Sequence, residues 1–189
     1  MDDVFPRYKH LYGEAGEQTE MLFGEQGLDV RLSISDSQHI QLVEAWHGQV
    51  TDSGVVREPP NGGWNWSDLY GNQKGKPKRF CISICNNHDE LCGVFLGGVS
   101  KGKEVVSLHY IDAKPNPTNL SGHITMIALT FSLSLAERLD ATFVAVYQPN
   151  DHMKEKLVSK GFYSDAELFG SRVKFGLDPY YLMVGKPVY

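Results

Sequence analysis

Residues 104–139, EVVSLHYIDAKPNPTNLSGHITMIALTFSLSLAERL, change character twice. From Glu104 to Asp112 the residues alternate and are rich in β-branched types, the pattern of a strand. Pro115 and Pro117 then forbid a helix across 113–119. From Ile124 the period becomes helical. Ile124, Ile127, Ala128, Phe131 and Leu135 form one stripe, and Met126, Leu129 and Leu133 widen it, so most of this helix must be covered. A strand passing through Leu120-Ser121-Gly122 into a central helix is the unit around which the rest of the chain arranges itself.

Downstream, Thr142-Phe143-Val144-Ala145-Val146 lies in a continuous β-type run over 141–147, as expected of an inner strand buried on both faces. A helix is predicted over 151–160, stopped by Gly161, and a last strand over 180–184. Upstream, 79–85 and 91–100 read as strands that join 104–112 through short turns, an antiparallel meander. A further strand is predicted over 28–34. Ser35-Asp36-Ser37 offers caps for a helix that gathers Ile40, Leu42, Val43 and Trp46 on one face. Residues 49–78 read as one long loop, a length that in a compact domain points to function. Residues 1–26 show only a weak helical pattern through Tyr8, Leu11, Met21 and Leu22, and are expected to wrap a core made elsewhere. The prediction is a single domain over 1–189, with 1–26 as the wrapping segment and 27–186 as the core.

The 189 residues, 41% of them hydrophobic, suffice for one continuous core. Eighteen Lys and Arg against 23 Asp and Glu leave a formal charge of −5, so no overall basic field exists to hold a polyanion. Nucleic acid and acidic membranes are not expected partners. The start lacks a basic leader and an apolar run, and no apolar stretch is long enough for a membrane span. With three cysteines, Cys81, Cys85 and Cys92, a reducing compartment is expected, and the cytoplasm is the default. Together with His88 these cysteines match a zinc count. The extended rise of a strand would hold Cys81 and Cys85 too far apart for one metal, so no metal is expected.

The order of elements resembles the GNAT superfamily, whose members transfer acyl groups from acyl coenzyme A. Two motifs carry the resemblance. The first is Asn119-Leu120-Ser121-Gly122-His123-Ile124 ahead of the central helix, in the place of that family's pyrophosphate loop. A diphosphate needs converging backbone N–H groups, which a helix start supplies, and glycine lets the backbone come close. Asn119 stands where the family has Gln or Arg, and Ile124 where it has Gly or Ala. The second motif is Asn150 followed by a helix ending in Gly161-Phe162. In the family the asparagine contacts the pantetheine arm, and a tyrosine four residues before the glycine protonates the departing thiolate. Leu157 occupies that place here, which leaves water, Tyr147 or Tyr163 for the proton.

The resemblance implies an α/β (α+β) fold: a central, mixed, mostly antiparallel sheet flanked by helices, whose parallel central strands splay to admit acetyl-CoA. It implies transfer of an acetyl group to a primary amine by direct attack, on a small molecule or a peptide, with a homodimer as an open alternative. The rival expectation is a binding or regulatory module on the same fold that has lost turnover. Backbone N–H groups near Tyr110, Ile111 and Asp112 would serve the donor and the oxyanion. Asp112 is the first candidate for the general base, His109 the second and Glu104 a third. Strict alternation puts Ser107, His109 and Ile111 on one face and Leu108, Tyr110 and Asp112 on the other, so Asp112 and His109 share a cleft only if a bulge intervenes. Trp64, Trp66 and Tyr70 are expected to wall the acceptor pocket.

Overall fold

The structure, a computed structural model, describes residues 4–59, 61–162 and 179–183. In chain order its elements are α1 (Val4–Gly24), β1 (Val30–Ile34), α2 (Ser37–Glu44), α3 (Trp66–Gln73), β2 (Arg79–Asn86), β3 (Leu91–Val99), β4 (Val105–Ala113), α4 (Ile124–Leu139), β5 (Phe143–Tyr147), α5 (Asp151–Ser159) and β6 (Pro179–Met183). The strands form one sheet in the order β1-β2-β3-β4-β5-β6. Neighbours run antiparallel except β4 and β5, which are parallel.

One face of the sheet carries α1 and α4, which pack on each other and enclose Phe95, Leu108, Ile127, Phe131 and Leu135. The helix predicted over 124–139 is found at those limits, with His123 as N-cap. The other face is covered at one end by α2 and α3 around a second core of Ile40, Val43, Trp46, Trp66, Val94 and Leu96. All nine residues of β3 are buried, since this strand is covered on both faces.

Three expectations need correction. The N-terminal segment, expected to show only a weak helical pattern, is a 21-residue helix. Its buried stripe is Tyr8, Tyr12, Ala15, Gly16, Thr19 and Phe23, a helical spacing built from aromatic and small residues. Of the expected pattern, Tyr8 is buried and Leu11 packs on the core, whereas Met21 and Leu22 are 62% and 39% exposed. Within the expected loop, residues 66–73 form α3, capped by the Asn65 side chain, which accepts from Asp68 N–H. In α2, Asp36 is the cap as expected, but Leu42 is 57% exposed and stands off the buried face of Ile40 and Val43.

The feature that shapes the site is a bulge in β4. Leu96 pairs with Tyr110 but Gly97 pairs with Leu108, so His109 has no residue opposite it. Val106 and Leu108 enter the α1–α4 core before the bulge, and Ile111 and Ala113 pack against it afterwards. Leu108 therefore parts company with Tyr110 and Asp112. His109, Tyr110 and Asp112 all turn to the opposite face.

Candidate active site

β4 and β5 are paired from Val105↔Phe143 to Leu108↔Val146, and no residue beyond Leu108 pairs with β5. Past that point β4 continues to Ala113, while the chain after Tyr147 passes through Asn150 into α5. The two strands thus diverge where the bulge begins.

Three cavities run end to end along this divergence. At the mouth is one of about 310 Å³, bordered by Ile111, Asp112, Ile124, Thr125, Asn150 and Arg57. A narrow one of about 50 Å³ lies between β4 and β5 and shares Ile111, Asn150 and Met153 with the first. An inner one of about 230 Å³ shares His109 and Tyr147 with the narrow one and extends to Arg79, Ser107 and Phe143. The three succeed one another through shared lining residues, with the narrow one between two wider ones.

At the mouth, α4 begins without a side-chain cap. Ser121 N–H donates to Thr118 O, His123 N–H to Leu120 O and Ile127 N–H to His123 O. The amides of Gly122, Ile124, Thr125 and Met126 have no acceptor among the described residues. Gly122 is in the left-handed region at φ +84°, with open space on its Cβ side. Ile124 turns inward, 4% exposed, against Gly93, where a Cβ would come within 2.8 Å of its Cγ2. This β-branched residue therefore does not plug the turn. Asn119 Oδ1 accepts from Asn86 Nδ2 at 3.2 Å, Leu120 is fully buried, and Ser121 and His123 are exposed.

Asn150 caps α5 by accepting Met153 N–H at 2.9 Å, and it also borders both the mouth and the narrow channel. The two explanations of this residue, a helix cap and a channel wall, hold together. Leu157 is 1% exposed, a core residue. Tyr163 lies outside the described residues.

Asp112 has no exposed side-chain surface. Its Oδ1 is ion-paired with Arg57 and accepts Ala113 N–H at 3.0 Å, while Oδ2 accepts Gly63 N–H at 2.6 Å and Trp66 Nε1–H at 3.1 Å. Both oxygens are saturated, so the group anchors the 57–66 segment and has no lone pair facing the channel. Arg57 reaches it from a small hairpin in which Arg57 N–H donates to Gln49 O and Thr51 N–H to Val55 O. Gly63, at φ +63°, is required because a Cβ there would fall 1.9 Å from Arg57 O. The Gly62-Gly63 pair beside Trp64 is the sequence signal for this tight approach.

His109 occupies the junction of channel and inner chamber. Its Nε2 lies 2.9 Å from Ser107 Oγ and 3.4 Å from Arg79 Nη1, and its ring stacks on Tyr147 at 4.7 Å and 6°. Burial, with the Arg79 charge adding to it, pulls its pKa down to about 4, so the ring is neutral at ordinary pH. Burial pushes the Tyr147 phenol above its usual value, against the pull of Arg79, so it keeps its proton.

Of the three expected acceptor aromatics, only Trp64 borders the channel. It packs edge-on to Tyr110 at 5.1 Å, and its indole N–H is buried without a partner among the described residues. Trp66 is fully buried and spent on Asp112, while Tyr70 donates to Ser35 O at 3.2 Å and borders a different cavity, beside Tyr12 and Pro77. Glu104 is exposed at the rim of the inner chamber. Cys81 belongs to the second core and Cys92 to the first, on opposite faces of the sheet. No group of three or more metal-binding side chains occurs among the described residues. No helix among them is long and apolar enough to cross a membrane.

At the level of sequence, neither a family model nor a curated protein matches the chain. Solved structures do. Spermidine N-acetyltransferase SpeG from Vibrio cholerae in complex with CoA and spermine is 10% identical, with a TM-score of 0.55 over 82% of this chain and 95% of that one. A K23-Q34 chimera of that enzyme with hSSAT gives 0.56 at 10% identity over the same shares. Nourseothricin acetyltransferase gives 0.50 at 16% identity over 80% of this chain and 95% of that one. With one parallel pair among the described strands, opening after Leu108, the chain shares the fold of these solved acetyltransferases.

Proposed function

We propose that the chain is an acyl-CoA-dependent N-acyltransferase that moves an acetyl group from acetyl-CoA to a primary amine of a small molecule or peptide. The observation that carries this reading is the alignment of three features: unpaired amides at the start of α4, a channel between β4 and β5, and a chamber beyond it. The diphosphate would sit on the amides of Gly122, Ile124, Thr125 and Met126, with the dipole of α4 favouring its charge. The pantetheine arm would follow the unpaired edge of β4 past Asn150. That places the thioester beside Tyr110 and Ile111, whose backbone can hold the developing oxyanion.

The acceptor would enter from the inner chamber. Its nitrogen attacks the thioester carbonyl carbon, the C–S bond breaks, and the products are an amide and the free thiol of coenzyme A. Two protons must move. Ser107 donates to Gly98 O at 3.1 Å, so its oxygen is placed to accept His109 Nε2–H, which leaves the ring's lone pair on Nδ1. Nδ1 has no partner among the described residues, and in this reading it takes the ammonium proton as the tetrahedral species forms. Tyr147, protonated and stacked on His109, gives its proton to the leaving sulfur, the task that Leu157 cannot perform. Asp112, expected as the base, becomes a positioning residue that holds Trp64 and the 57–66 segment in place.

The leucine at position 157 also suits the rival reading, a coenzyme-binding module without turnover. Calorimetry with coenzyme A and a thiol-release assay with acetyl-CoA and a panel of amines separate the two. Binding with thiol release is the expected result. Binding without release for any amine selects the module, and no binding overturns both.

A further inference from the structure

The inner chamber contains a cation that no carboxylate among the described residues pairs with. Arg79, the first residue of β2, has no carboxylate partner among the described residues, and with the ring proton on Nε2 its 3.4 Å approach to His109 is a contact between two donors that leaves the guanidinium without an acceptor there. Its position is built. Arg79 pairs across the sheet with Gly98, and a Cβ on Gly98 would come within 2.7 Å of Arg79 Cδ and 2.9 Å of Nη1. The arginine stem therefore lies flat on the backbone of β3, in space that only glycine leaves, and points its fork at His109. Glu104, the acidic side chain of the same chamber, leans over Gly102 at the rim, 3.6 Å from where a Cβ would stand. The rest of the wall combines the apolar Val99, Val105, Phe143 and Tyr147 ring with the side chains of Ser100 and Ser107.

A half-open chamber with one aimed guanidinium, itself exposed to solvent, favours a planar anion, because the fork matches a carboxylate through two parallel hydrogen bonds. We propose that Arg79 is the acceptor's anchor, and that the acceptor is an apolar amino acid whose carboxylate sits on Arg79 while its amine reaches His109. The short separation of guanidinium and imidazole sets the scale: an acid and an amine one or two carbons apart span it, whereas a long polyamine offers nothing to Arg79 and brings a second positive charge against it. This inference rests on the acyl-transfer reading above and specifies its substrate.

The test compares matched pairs, leucine with 3-methylbutylamine and phenylalanine with phenethylamine, by thiol release from acetyl-CoA. Wild-type protein is expected to favour the amino acid at least tenfold in kcat/KM. Arg79→Met collapses that ratio, chiefly through the amino acid's KM, and Arg79→Lys restores part of it. Gly98→Ala, which displaces the arginine stem, lowers the ratio as well. A wild-type preference for the amine, or a ratio that Arg79→Met leaves unchanged, overturns the inference while transfer itself stands. If no amine releases thiol, the transfer reading falls, and saturation-transfer NMR of leucine on the coenzyme-free protein decides the rest. A leucine signal that disappears in Arg79→Met keeps the anchor, and absence of signal in wild-type protein removes it.

Discussion

The two ends of β4 share one neighbour, β3, and have opposite fates. From Val105 to Leu108 the strand is hydrogen-bonded on both edges and sends Val106 and Leu108 into the main core. From His109 to Ala113 it keeps β3 but loses β5, and its side chains are an imidazole, a phenol and a carboxylate on one face. The lesson is that the channel is not a weak place in the sheet. One unopposed residue turns the strand, and a saturated buried carboxylate three positions later ties the turned end to the 57–66 segment, so that an unpaired strand edge is kept open. A lost ladder would otherwise be an invitation to pair.

The largest expected effect is at the tie. Asp112→Ala leaves the part-buried Arg57 guanidinium and the buried N–H groups of Gly63 and Trp66 without their acceptor. A loss of about 3–5 kcal/mol in unfolding free energy follows from breaking a buried pair on one side, measurable by denaturant unfolding. A variant as stable as wild type but inactive would instead make Asp112 the base. Next comes the turned residue itself: His109→Gln should lower kcat by about a hundredfold or more, the scale of general base catalysis. It should also flatten the pH dependence of stability. The folded state holds His109 neutral down to about pH 4 whereas the unfolded chain protonates it near 6.5. The unfolded state therefore binds the extra proton between those values, and stability falls as pH drops through that window, by up to about 1.4 kcal/mol per pH unit. Identical slopes in wild type and His109→Gln would mean that the ring is not held neutral.

Much of this arrangement was legible from residue patterns. The periods of α4, β2, β3 and β4, the glycine turn at Gly122 and the Asn150 cap were readable because each is a local signal: alternation, a helical stripe, or a residue with one conformational use. The bulge was not, because a single unopposed residue leaves no mark in a strand's own sequence; it exists only in the register against Leu96 and Gly97. For the same reason Asp112 read as a base: a carboxylate at a strand end looks alike whether water or Arg57 faces it. Trp66 and Tyr70 were misplaced with it, since the helix that carries them is short, holds Gly71, and is stabilised by burying Trp66 rather than by its own propensity. The α1 stripe escaped because tyrosines, a glycine and a threonine form it, with Thr19 Oγ1–H satisfied by Ala15 O at 2.7 Å.

The smallest effect bears on the mouth of the channel, where the comparison between paired and unpaired backbone is repeated at a helix start. Gly122 has open space around its Cβ position but a φ of +84°, so Gly122→Val meets no clash and is strained only by its own backbone. Such strain costs about 1–3 kcal/mol, and the fold should survive it with a lowered melting temperature. Bulk at that position would stand in front of amides that otherwise have no acceptor, so coenzyme A affinity should weaken by about tenfold, roughly 1.4 kcal/mol, as read by calorimetry. If affinity is unchanged while the melting temperature falls, the strain is present but the diphosphate lies elsewhere, and the amides of Ile124, Thr125 and Met126 lose their assigned role even though the channel behind them remains.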